Sequence, residues 1–330
     1  MKEELISIVI PAYNIAPYIS SALESVFAQT YSNFEVIAVD DGSTDHTGEI
    51  LDSFASKEPR LRVIHTENRG ASKARMTGVA AANGEIIGFM DGDDRIDPDM
   101  YERLHQNMIH HCANISHCGY RMVRKNHTEL YYGTGVIIVQ NHERGIKDLL
   151  EGAIVEPGLC NKLFRRSLFD CLLSGETIMD FSLRENEDLL TNYCLFQHCD
   201  RAVFEDVCPY QYMIRSDSSS HGGLKPHILS DPIRIGRLLI NDTGDTPEFY
   251  QLAARYYVTK MIKAATVVVR KDTDRQIREI RKSARRELRS FLKPYCAVET
   301  SEKRKALACF AAVAPMIYSL VHRFYLQRSK

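Results

Sequence analysis

No glycine-rich phosphate loop follows any apolar run of this 330-residue chain. Gly-x-Gly-x-x-Gly and Gly-x-x-x-x-Gly-Lys-[Ser/Thr] are both missing, which argues against a dinucleotide oxidoreductase and a P-loop NTPase. The nine cysteines include no Cys-x-x-Cys pair, and HHCANISHC (110–118) has a spacing that fits no common zinc template. Free thiols in a reducing cytosol are therefore the expectation. Low-complexity tracts are absent, and no apolar stretch reaches the roughly 20 residues that span a bilayer. The opening MKEELISIVIP puts acids before a short apolar run with no small-residue cleavage site, which predicts no secretory signal. What remains is an ordinary globular composition, long enough for one large core with an appendage or for two domains.

Charge is balanced only in sum. Residues 251–330 hold 19 Lys/Arg against 6 Asp/Glu, while the other 250 residues hold 23 against 37. An acidic body with a basic C-terminal stretch points to a partner rather than to a fold. The basic stretch contains no recognisable nucleic-acid module, so nucleic acid is not expected to be that partner.

The first hundred residues alternate between two periodicities. LISIVI (5–10), FEVIAV (34–39), LRVIH (61–65) and EIIGFM (85–90) read as short buried strands. Between the first two, Ile19, Ala22, Leu23, Val26 and Phe27 recur at i, i+3, i+4, i+7 and i+8, one face of a helix. A second helix is expected over 45–56, with Ser43, Thr44 or Asp45 as N-cap, and a small-residue helix over 71–82 ending at Asn83-Gly84. This alternation predicts an α/β fold, a mostly parallel sheet flanked by helices. Residues 101–222 are mixed: a helix over 98–111, short strands, a helical stretch containing LCNKLFRRSLF (159–169), then RENEDLLTNYCLF and AVFEDVCPYQYM. From 223 to 330 strand signals fade into basic helices. The expected division is 1–222, with halves 1–100 and 101–222, followed by 223–330.

In open parallel sheets, ligands bind beyond the carboxyl ends of the strands. The loops there are PAYN (11–14), DDGS (40–43), the NRGASKAR region (68–75) and DGDD (91–94). Five acids on one rim need a cation or raised pKa values. Asp91-Gly92-Asp93 supplies hard oxygen ligands for Mg²⁺ or Mn²⁺, with Gly92 leaving room for close approach. The bland alternative is that these acids solvate a turn, with Asp97 and Pro98 as cap and first residue of the helix over 98–111.

Taken in order and spacing, SIVIPAYN, QTYSNFEVIAVDDGSTD, NRGASKARMTG, GEIIGFMDGDDRI and NEDLLT closely resemble the family-2 glycosyltransferases of the GT-A fold, over about residues 1–220. The resemblance implies transfer of a sugar from a nucleotide diphosphate donor with inversion at the anomeric carbon, of the kind used in cell-surface polysaccharide synthesis. It implies that Pro11 and Tyr13 flank the donor's base, that Asp41 hydrogen-bonds a uracil imide with Asp40 beside it, and that Arg75 lies near the pyrophosphate. By the same match Asp91 lies near ribose and metal, Asp93 is the direct metal ligand, and Asp188 is the catalytic base, preceded by Glu187. Met76 departs from the family, which often has Asn there. Inverting displacement needs such groups independently: a carboxylate to take the acceptor proton, and a Lewis acid on the departing diphosphate. Asp188 also suits a bland role as an acid at a helix N-terminus.

Weaker candidates are Asn161 and Lys162, which resemble a recurring acceptor-side or diphosphate-side segment but also suit a solvated helix start. Arg215 and His221 fall where the family often has a loop closing over the diphosphate. A sugar-phosphate nucleotidyltransferase, with a similar sheet, begins with a Gly-rich loop that PAYNIAPY does not contain. The non-enzymatic rival is a membrane-associated scaffold that keeps the fold without catalysis. In the tail, 16 uncharged residues between Lys305 and His322 are broken by Pro315 and flanked by Lys303-Arg304-Lys305 and Arg323. Residues 303–330 suit a helix in the interface of an anionic membrane, a core helix, or a homodimer contact equally. Docking at the inner face of the cell membrane would suit a lipid-linked saccharide acceptor.

Overall fold

The computed structural model describes residues 4–124, 127–130, 133–214, 223–269 and 274–328. They form two compact units, one running to Phe181 and resuming at Asp188, the other made of Ser182–Glu187 and the C-terminal helices.

The first unit is built on strands β1 (Ile6–Ala12), β2 (Phe34–Asp41), β3 (Leu61–Thr66) and β4 (Ile86–Phe89), all parallel, with helices α1 (Ala16–Phe27), α2 (Thr47–Ala55) and α3 (Ala71–Ala81) as crossovers. Ile6, Ile8, Val9 and Ile10 are fully buried because β1 is covered on both faces, as its unbroken apolar run requires. Ile19, Ala22, Leu23 and Val26 of α1 face the core, whereas Phe27 stays at the boundary under the Arg60 guanidinium. The Asn83-Gly84 pair does not cap α3: the helix ends on extended Ala82, and Asn83 donates to the Glu35 carboxylate instead. Asp45 does serve the start of α2, where its carboxylate accepts the Thr47 N–H at 3.0 Å.

Beyond β4 come β5 (Arg95–Ile96), α4 (Met100–His110), β6 (Ile115–Val123), β7 (Thr128–Leu130), β8 (Ile137–Asn141), α5 (His142–Glu151), β9 (Lys162–Arg165), a 3-10 turn (Arg166–Phe169), α6 (Asp170–Ser174), α7 (Glu187–Gln197) and β10 (Arg201–Met213). The sheet runs β3-β2-β1-β4-β9-β6-β10-β5, with β7 on β6 and β8 on β10. Two expectations are corrected here. NKLF is a central strand rather than part of a helical stretch: β9 pairs antiparallel with both β4 and β6, and Leu163 and Phe164 are buried. A four-residue apolar run shows no helical or strand period of its own, so its partners decide. Asp97 is not a helix cap; α4 begins after Asp99, and the Asp97 carboxylate receives a two-pronged bond from Arg121 at 2.6 Å per oxygen.

The second unit is helical: α8 (His227–Asp242), α9 (Pro247–Thr266), α10 (Arg275–Val298), α11 (Glu302–Val313) and α12 (Pro315–Arg328). Its core gathers Leu229, Ile233, Tyr257, Met261, Leu288 and Tyr295. The uncharged run of the tail is two helices rather than one, because Pro315 cannot continue α11 and instead opens α12. Among the described residues no helix is long and apolar enough to cross a membrane.

Candidate active site

The site grows from the carboxyl edge of the parallel strands. The loop after β1 is stapled to the loop after β2: Ser43 Oγ accepts the Asn14 N–H at 3.1 Å, and Asn14 Oδ1 accepts the Thr44 N–H at 2.8 Å. Asn14 itself sits at φ 51°, a left-handed conformation that asparagine tolerates. Pro11 is half-buried at the end of β1, and Tyr13 stands exposed on the loop. Gly42 turns the chain after β2 at φ +72°, and a Cβ there would lie 2.7 Å from the Asn68 nitrogen.

Adjacent acids at the end of β2 do different work, because successive side chains on a strand point to opposite faces. Asp41 is buried and accepts the Arg69 and Gly70 N–H groups at 2.8 and 2.7 Å, which fixes the loop leading into α3. The Asp40 carboxylate accepts the Ser43 N–H and meets His65 Nδ1, both at 3.0 Å, while His65 Nε2 reaches Asp52 at 3.1 Å. Burial pushes the Asp40 carboxyl upward, but the bonds from Ser43 and His65 outweigh it and hold the pKa below the usual value. The two carboxylates raise the pKa of His65 in return. Asp40 thus belongs to a triad with His65 and Asp52.

Arg75 is the centre of the arrangement. Helix α3 carries it, and its Nη2 donates to Asp91 Oδ1 at 2.9 Å while Nη1 donates to Asp188 Oδ1 at 2.8 Å. The Arg75 side chain is 6% exposed, against 36% for Asp91 and 26% for Asp188, so a buried cation holds two carboxylates that both reach solvent. Asp91 follows β4, and Asp188 is the second residue of the buried helix α7. Desolvation raises the Asp188 carboxyl, Arg75 opposes the rise, and Asp91 adds to it; the result lies above the ordinary value. Glu187 precedes it, half-buried.

The crowding at DGDD is relieved by two devices invisible in the sequence. One is Arg75. The other is Asp94, buried beneath the turn, where desolvation and then the charges of Asp91 and Asp93 push its pKa up to about 8. Asp94 Oδ2 accepts the Tyr210 hydroxyl at 2.5 Å and Oδ1 accepts the Met213 N–H at 2.8 Å, tying the turn to β10. Asp93 lies between, partly exposed. Gly92 has a packing role of its own. A Cβ there would lie 2.5 Å from Ile15 Cδ1 and 3.0 Å from Ile19 Cδ1, so the position is small to let the turn pack on α1.

Asp91, Asp94, Asn161 and Asp188 share one cavity of about 310 Å³ with Tyr120 and Tyr212. Asn161 and Lys162 are buried, which corrects the solvated helix start. Lys162 Nζ donates to the carbonyls of Glu156 at 2.7 Å and Gly158 at 2.5 Å and to Asn161 Oδ1 at 2.8 Å. Burial lowers its pKa to about 8. Asn192 of α7 donates to the Pro157 carbonyl at 2.5 Å and to the Asp188 carbonyl at 3.1 Å, so the 156–158 wall and Asp188 are held by one side chain. Sequence reasoning missed Asn192 and the three tyrosines. Tyr-Gln-Tyr at 210–212 was the available signal, since alternate residues share a strand face. Arg215 and His221 lie outside the described residues.

Comparison with known proteins gives the family and the fold. A family model described as glycosyl transferase family 2 matches residues 7–173. The glycosyltransferase EpsJ of Bacillus subtilis is 32% identical over 226 residues, 67% of this chain and 64% of EpsJ. GlyG of Streptococcus pneumoniae is also 32% identical, over 65% of this chain and 72% of GlyG. The crystal structure of S. aureus TarS 1–349 in complex with UDP-GlcNAc superposes with a TM-score of 0.71 at 19% identity, covering 98% of this chain and 91% of TarS 1–349. The fold is therefore GT-A, with C-terminal helices beyond it. The order of the loops, the acids they carry and the family match over half the chain agree: this protein belongs to glycosyl transferase family 2.

Proposed function

We propose that the protein is a metal-assisted, inverting hexosyltransferase that moves a sugar from a UDP-linked donor to a saccharide or lipid-linked saccharide acceptor. The observation that carries this reading is the Arg75 bridge. It brings Asp91, on a donor-side loop, and Asp188, 97 positions later in the sequence, to one guanidinium at the wall of one cavity. The bound UDP-GlcNAc of TarS supports the choice of donor.

The residues present fit a divalent ion of the kind expected. Among the described residues no group of three or more His, Cys, Asp or Glu side chains is placed to hold a metal ion by itself, and Asp91 and Asp93 offer two hard carboxylates on one partly exposed turn. Such a donor set suits Mg²⁺ or Mn²⁺ completed by water and phosphate. When bound, the ion supplies Lewis-acid stabilisation of the departing diphosphate. Asp188 takes the proton of the attacking acceptor hydroxyl, and its raised pKa makes it a better base than an ordinary aspartate. Arg75 keeps Asp188 and Asp91 oriented without donor and offers positive charge beside the phosphates. Asp41 holds the loop that leads into α3 and leaves acceptor capacity for a base N–H.

A thermal-shift series with UDP-sugars, with and without Mn²⁺, tests this. Stabilisation should require both partners and vanish in Asp93→Ala. Stabilisation indifferent to metal and to that substitution would overturn the donor site, and a wild-type protein that never hydrolyses or transfers the bound donor would return the chain to the inert scaffold.

A further inference from the structure

Helices α11 and α12 carry large apolar side chains away from their own core. Ala308, Ala311 and Ala312 of α11 are buried in the helical unit. On the opposite face Leu307, Phe310 and Val313 recur at i, i+3 and i+6, and all three are exposed. On α12 Met316, Ile317, Leu320 and Val321 are exposed in the same way, with Val313 at 78% and Leu320 at 67% marking the extremes. The Phe310 ring meets Tyr318 edge-on at 5.8 Å, so α11 and α12 touch close to these exposed residues. Seven large apolar side chains within fifteen residues stand exposed there. Soluble surfaces scatter such groups singly, and a contiguous patch marks a binding face.

A row of guanidinium groups borders this patch. Arg281, Arg285 and Arg289 follow one another every fourth residue along α10, and so share a face. Arg289 Nε donates to the Ala312 carbonyl at 3.0 Å, and Arg285 Nη2 lies 3.5 Å from Met316 Sδ. The row is therefore fastened to the α11–α12 junction. Desolvation, then the charges of Arg281 and Arg289, disfavour the charge on Arg285, so the row repels itself and gains from an anion. Lys303 and Arg304 add exposed charge at the start of α11.

A second copy of the chain is a poor occupant. A symmetric dimer through this patch would bring two arginine rows toward each other, at a cost in like-charge repulsion. Among the described residues neither helix is long and apolar enough to cross a bilayer. We infer that this face lies on an anionic phospholipid bilayer, with the apolar residues of α11 and α12 entering the headgroup boundary and the α10 arginines on lipid phosphates.

Cosedimentation of the full chain with vesicles of phosphatidylcholine alone, and with one third phosphatidylglycerol, tests this independently of catalysis. Partitioning should be at least ~10-fold stronger on the anionic vesicles and fall as salt rises. Ile317→Asp with Leu320→Asp should remove at least ~10-fold of it. Arg281→Gln with Arg289→Gln, a pair that removes none of the seven apolar side chains, should lose the preference for anionic lipid, with thermal melting confirming that each variant folds. Equal binding to both vesicle types, undiminished binding by folded variants, or a lipid-free dimer that the Ile317/Leu320 pair turns into monomers would overturn the proposal.

Discussion

The two halves of the β-sheet were assembled under different rules. In the first, β1, β2 and β3 lie side by side in chain order through regular crossovers, and β4 returns to pair in parallel with β1. In the second, β9 enters between β4 and β6 with antiparallel pairing, and β10 pairs with β6, β8 and β5 at once. The acids follow the same division. Asp41 is fixed by amides 28 and 29 residues away, whereas Asp94 is fixed by Tyr210 and Met213 across 116 and 119 residues. The loop after β2 can be set by local structure, but the turn after β4 depends on distant strands closing correctly. Substitutions in the second half should thus disturb the cavity more than those in the first.

The largest effect expected is on rate. Asp188→Asn keeps the bond from Arg75 but cannot take a proton, so turnover should fall by about 10²–10⁴-fold. Donor-induced thermal shifts should be retained. In the wild type the acidic limb of the pH–rate profile should lie above the ordinary carboxylate range, following the direction of the Asp188 shift. Full activity of the Asn variant would remove Asp188 as base.

Lys162→Met should come next, at about 3 kcal/mol in urea denaturation, because the carbonyls of Glu156 and Gly158 lose a buried donor. A comparable cost from a site in the first half would weaken the contrast. Gly92→Ala should cost about 1–3 kcal/mol through overpacking on Ile15 and Ile19, with or without nucleotide. A variant of native stability that lost only donor binding would instead restore Gly92 as a ligand-clearance position.

His65→Asn should give the smallest change. The folded pKa of His65 is raised above 6.5, so its stabilisation is complete below pH 6.5 and lost as pH rises through the higher folded value. The Asp40 pKa is depressed below 3.8, so its own contribution is present above pH 3.8 and lost as pH falls through the folded value. Wild type should therefore lose under about 1 kcal/mol relative to the variant between pH 6 and 8, because His65 is half-exposed and screened. A flat difference would show that the triad carries no such charge.

Legibility in the sequence tracked locality. The four parallel strands lie within two residues of their expected bounds, since two-sided burial leaves an unbroken apolar run. NKLF misled because four residues carry no period, and Asp97 because an acid before Pro98 looks like a cap whether or not Arg121 claims it. Asp40 and Gly92 have partners that their motifs do not announce: Asp40 bonds His65, and Gly92 lets its turn pack on Ile15 and Ile19.

By itself the sequence determined the family, the order of the early elements and the edge at which their loops meet. These depend on periodicity and loop residues read within a few positions. Only the tertiary structure decided which acid is buried and which is bridged by Arg75. A carboxylate's charge is set by its desolvation and its nearest cation, and here both come from residues up to 119 positions away.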